Sequence, residues 1–133
     1  MHEVAPVPSG EAFTHDQIRD IERVVETAND QTGLVFSVCI GGADGDIRDE
    51  AERLHAALGP SASDAVLVVI SPGDRLLEIV TGEQSARRLS DRACALAALS
   101  MTTSFAGGDL VGGIVTGVRM MAEATSKSAT APR

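Results

Sequence analysis

Apolar positions along this chain change period from helical to strand-like and back, which predicts an order α-β-α-β-β-α-α. The first helix opens at Thr14. Its hydroxyl is placed to accept the Gln17 N–H, and Gln17 can reach back to Thr14, a capping box. Phe13 and Ile18 are spaced as a hydrophobic staple. Ile18, Ile21, Val25 and Ala28 then recur on one face up to Gly33. "LVFSVCI" (34–40) follows as a buried strand. After the loop "GGADGDIRDE" (41–50), Ile47, Ala51, Leu54 and Leu58 share a second helical face, ended by Gly59-Pro60. "AVLVVI" (65–70) is an unbroken apolar run, the pattern of a strand covered on both faces. "SPGD" (71–74) fits a type II turn with Pro72 and Gly73 at its centre, so "RLLEIV" (75–80) returns as a hairpin strand. A helix is expected from Asp91 to Ser104. Another begins near Asp109 and carries Leu110, Ile114, Val118 and Met121 inward.

This order implies an α/β fold: a three-layer α/β/α sandwich, with a small mixed sheet and helices on both faces. The first two strands are joined through a helix, so they run parallel with a right-handed crossover. Residues 13–125 read as a single domain. Residues 1–12 carry prolines and no periodicity and read as a flexible arm, and residues 126–133 as a flexible tail.

Composition narrows what this fold can do. The core must be aliphatic, because the chain has three Phe and no Tyr or Trp. The net charge of −8 argues against nucleic acid, which needs basic side chains or stacking aromatics, and against an anionic membrane surface. Cys39 and Cys94 lie in a strand and a helix pattern and read as small apolar residues, with a disulfide or reactive thiol as the alternatives. His2, His15 and His55 make no zinc spacing. From Ala93 to Val118 the only charge is Asp109, but "SMTTS" and "AGGDL" break the run before it reaches a membrane-spanning length of about 18 residues. The first residues have neither the basic start nor the apolar centre of a secretory leader. The expectation is a cytoplasmic chain without a transmembrane helix.

Strand direction gathers acids at one end of the sheet. The loop after the first strand and the "SPGD" turn after the second belong to the same edge. A helix from Asp91 climbs about 21 Å and returns "FAGGDL" (105–110) to it. The predicted cluster is Asp44, Asp46, Asp74, Arg75 and Asp109, at the carboxyl ends of the parallel strands, where open α/β sheets bind ligands. Asp44, Asp46, Asp74 and Asp109 are candidate oxygen ligands for a divalent cation, calcium or magnesium. Arg75 and the amides around Gly108 are candidate phosphate contacts. Each acid also has a structural reading. Asp46 and Asp109 are good helix caps, and Asp74 is a common turn residue. The loop at 41–50 does not match an EF-hand: Arg48 occupies an acidic position.

The ordered set "TGLVFSV" (32–38), "ALG" (57–59), "DAVLVVI" (64–70), "DRLLEIVTG" (74–82), "LSD" (89–91) and "FAGGDLVGGI" (105–114) resembles the TPM domain. That family includes thylakoid-lumen phosphatase-like proteins and photosystem II repair factors. The resemblance covers residues 13 to 124 and implies an α/β/α sandwich. It also implies acid phosphatase activity or calcium binding in some members and accessory roles in others. Asp74, Arg75, Gly108 and Asp109 match its motif positions, whereas Ala65 stands in place of the usual Gly and Leu110 in place of the usual Tyr.

Two functions follow as expectations. The preferred one is a non-enzymatic accessory or interaction domain that binds a protein partner, linked to an envelope or membrane complex. The alternative is a divalent-cation-dependent phosphomonoesterase at the acidic edge.

Overall fold

A computed structural model describes residues 13–41, 45–71 and 76–126. Helix α1 (His15–Thr32) starts on the expected capping box: Thr14 Oγ1 accepts the Gln17 N–H at 3.1 Å, and Gln17 Oε1 accepts the Thr14 N–H at 2.8 Å. Ile21, Val24, Val25 and Ala28 line its inner face. Two side chains turn the chain from α1 into strand β1 (Val35–Ile40). The Thr32 hydroxyl donates to the Ala28 carbonyl at 2.7 Å and accepts the Leu34 N–H at 3.0 Å. Asn29 Oδ1 accepts the Phe36 N–H at 2.7 Å.

Helix α2 (Ile47–Ala56) and a 3-10 helix (Gly59–Asp64) lead to strand β2 (Ala65–Ser71), and strand β3 (Leu76–Thr81) follows. The sheet order is β1-β2-β3, with β1 parallel to β2 and β2 antiparallel to β3. All of β2 is buried. Period-two alternation divides it between two cores. Val66, Val68 and Ile70 join Phe36, Val38 and Ile40 against α1 and the C-terminal helices. Leu67 and Val69 join Val80 and Ala51 beneath α2. Helices therefore cover both faces of a mixed sheet, the three-layer arrangement expected.

The C-terminal part holds α3 (Glu83–Arg88), α4 (Asp91–Ala106) and α5 (Leu110–Ala124). Helix α3 and the 3-10 helix are not among the expected elements. They fix each other through close packing: a Cβ on Gly82 would run into the carbonyls of Ala62 and Ser63. The fully buried Ser85 donates its hydroxyl to the Ala65 carbonyl at 2.8 Å and accepts the Gly82 N–H at 2.8 Å. Helix α2 ends at Ala56, ahead of Leu58, which caps the 3-10 helix. Helices α4 and α5 pack closely, with Gly113 under Phe105 and Gly117 under Met101. Small residues at this spacing serve helix-on-helix contact within the domain. None of the helices among the described residues is long and apolar enough to cross a membrane.

The predicted arm at 1–12, the turn centre Pro72-Gly73 and nearly all of the predicted tail lie outside the described residues. Ser126, the first residue of that tail, is tied down: its N–H donates to the Arg88 carbonyl at 2.9 Å, and its own carbonyl accepts from Arg88 Nε at 2.9 Å.

Candidate functional site

Of the expected acidic cluster, Asp46, Gly108 and Asp109 are described; Asp44, Asp74 and Arg75 lie outside the described residues. Asp46 is the N-cap of α2. Its Oδ1 accepts the N–H groups of Arg48 at 2.7 Å and Asp49 at 3.2 Å. Asp49 and Glu50 occupy the first turn, where negative charge suits the helix dipole. Arg48 pairs with Glu52 at 2.8 Å and Glu78 of β3 at 3.1 Å, and also donates to the Ile79 carbonyl at 3.3 Å. The hydrogen bonds to Glu52 and Glu78 hold its guanidinium pKa above the ordinary value.

Asp109 is the N-cap of α5, its Oδ1 accepting the Gly112 N–H at 2.9 Å. Gly108 takes the left-handed conformation (φ 88°) that lets the chain reverse between α4 and α5. The N–H groups of Gly107, Gly108 and Asp109 donate to the carbonyls of Thr103, Phe105 and Ser104 at 3.2, 3.0 and 2.9 Å. The "GGD" amides are thus spent on the last turn of α4 rather than turned outward toward a phosphate. Among the described residues, no three His, Cys, Asp or Glu side chains gather as a metal-holding group.

Cys39 and Cys94 are half-buried and form no disulfide with each other. Burial, and then the charge of Asp91, push the Cys94 thiol up to about 11, so it stays protonated at neutral pH and is a poor nucleophile.

A second feature was not anticipated. Between α1 and α5 lies a groove of about 530 Å³. Val24, Ala28, Val111 and Val115 form its apolar floor. Arg23, Asp20, Arg119 and Glu123 supply charges of both signs around it, with Thr27 and Gln31 beside them. Arg23 sits 3.7 Å from Asp20 on an exposed rim. One signal in the sequence could have revealed the groove. Asp20, Arg23, Thr27 and Gln31 form a polar stripe at helical spacing, directly beside the apolar positions Val24 and Ala28.

These features define a three-layer α/β/α domain with an amphipathic groove on its helical face. A family model described as "Domain of unknown function (DUF5130)" matches residues 1–122, and the chain belongs to that family. Two uncharacterised proteins from Mycobacterium tuberculosis, Rv2468c of strain H37Rv and MT2543 of strain CDC 1551, are each 33% identical over 76 residues. That match covers 56% of this chain and 46% of theirs, so it spans about half the length of those relatives. Solved structures share the fold at low identity. The N-terminal domain of the cg2496 protein from Corynebacterium glutamicum has a TM-score of 0.77 at 16% identity, over 99% of this chain and 84% of that one. The BA42 protein from Bizionia argentinensis has a TM-score of 0.78 at 19% identity, over 87% and 83% respectively.

The resemblance to the TPM domain is therefore corrected: the matching family is DUF5130, and no TPM family match accompanies it. The motifs that carried the resemblance have general structural reasons. "LVFSV" and "AVLVVI" are what buried strands require, and "GGD" is a left-handed turn followed by a helix cap. The phosphatase and calcium roles implied by that resemblance lose their basis with it.

Proposed function

We propose that this domain is a non-enzymatic interaction module that receives a protein segment in the α1–α5 groove. The observation that carries the reading is the lining of that groove, an apolar floor between rims of mixed charge. An amphipathic helix suits such a surface: its apolar stripe covers the half-buried Val111 and Val115, while flanking acids and bases pair with Arg119 and Glu123. The capping roles of Asp46 and Asp109 favour the same reading, because each carboxylate already has a structural task.

The test places a photo-crosslinking residue at Thr27, on the groove, and separately at Glu52, exposed on α2 across the sheet. A protein captured from Thr27 but not from Glu52 is then purified and titrated against the full chain. Val115→Glu should weaken that binding by about tenfold or more. Equal capture from both positions, or an unchanged affinity for Val115→Glu, refutes the reading.

A further inference from the structure

Helix α4 is apolar on the side that faces water as well as on the side that faces the core. Ala97 and Met101 are fully buried against the domain. On the outer side, Leu96 is 50% exposed and Leu99 64% exposed. From Ala93 to Gly108 no residue is charged, in a chain of net charge −8. A helix that is apolar all round belongs between two layers, and among the described residues only one layer covers α4.

We infer that the missing layer is a second copy of this chain, its α4 packed antiparallel on the first about a two-fold axis. Arg92, Leu96, Leu99 and Thr103 fall at i, i+4, i+7 and i+11, one continuous stripe. A two-fold axis between Leu96 and Leu99 sets each Leu96 over the partner's Leu99, and brings each Arg92 to the partner's Thr103. The charges agree with that arrangement. The last turn of α4 carries no basic residue, so its negative dipole end, whose carbonyls accept backbone N–H groups from Gly107, Gly108 and Asp109, has no cationic side chain of its own. Arg92 is exposed, and none of the ion pairs among the described residues includes it. Pairing brings the two together twice per dimer. The net charge of −8 repels two copies everywhere else, so an uncharged face is where they can approach, and added salt strengthens the association. One helix pair is at the small end of specific interfaces, so the dimer exchanges with monomer. The groove between α1 and α5 has no part in this inference.

Sedimentation velocity of the full 133-residue chain at physiological salt tests it, over about 1 μM to about 1 mM. A reversible monomer–dimer equilibrium is expected, tighter at higher salt. Leu99→Glu should weaken it by about a hundredfold, because two carboxylates meet near the axis, and Arg92→Glu by about tenfold. Both variants alter exposed positions, so their melting curves should overlay that of the parent monomer. A monomer at every concentration overturns the inference. So does a dimer indifferent to Leu99→Glu, or a monomer that instead binds phosphatidylcholine vesicles through Leu96 and Leu99.

Discussion

Gly117→Ala tests whether α4 and α5 are held as closely as the structure places them. A Cβ on Gly117 would lie 2.5 Å from Met101 Cγ and Cε and 2.8 Å from Sδ. Met101 is fully buried, so its side chain has no free space to retreat into. Two effects of opposite sign compete. Replacing Gly with Ala inside a helix contributes about 1 kcal/mol of stability from propensity. Overpacking a closed core costs about 1–3 kcal/mol. The net expectation in the native background is a loss of about 1 kcal/mol, against the direction that propensity alone gives. In a Met101→Ala background, itself less stable by about 2–5 kcal/mol, the new methyl enters the space that Met101 left. There Gly117→Ala should stabilise by about 1 kcal/mol. Urea unfolding of the four proteins of this cycle, with a shared m-value, measures the coupling. It should amount to about 2 kcal/mol. Additivity within about 0.5 kcal/mol, or a stabilising Gly117→Ala in the native background, would refute the packing argument.

Cys94 should titrate near 11 in the folded protein, against an ordinary 9.0. The unfolded thiol ionises first, so stability should fall as pH rises through that window, and thiolate absorbance in a Cys39→Ser background should report it; a folded midpoint at or below 9.0 contradicts the burial. Asp109→Ala should lose the α5 cap and about 1 kcal/mol in urea unfolding, while Asp109→Asn, which keeps the acceptor oxygen, should lose much less; equal losses would show that charge, not capping, is what Asp109 supplies.

Features legible in the sequence are those decided by neighbours along the chain. Thr14 and Gln17 announce the start of α1, and Asp46 and Asp109 cap their helices as expected, because a cap needs only residues two or three positions away. The run at 65–70 reads as a doubly covered strand because burial on both faces removes every polar position. What the sequence does not show depends on tertiary contact. Helix α3 spans only six residues, too few for a periodic signal, and its anchor is Ser85 reaching Ala65 twenty positions back. Leu58 continues the apolar spacing of α2, yet the helix stops at Ala56, where the chain tightens into the 3-10 helix that Gly82 receives. The groove needs α1 and α5 side by side: the polar stripe of α1 marks one wall, but nothing in either segment specifies that neighbour. The "GGD" amides looked available because their acceptors belong to the preceding helix, which sequence spacing alone does not orient.

Asn29 and Arg48 have a consequence beyond the bonds they make. A three-stranded sheet has two outer strands for one inner strand, so two of its three strands border a potential new strand. Asn29 occupies the Phe36 N–H on β1, and Arg48 occupies the Ile79 carbonyl on β3. Each side chain stands where an incoming strand would have to bond. The uncharged run "VFSVCI" is the kind of segment that seeds fibrils when its edge lies open, and a single amide side chain from α1 interrupts that template. The helices of this domain thereby act as guards of its borders as well as covers for its faces.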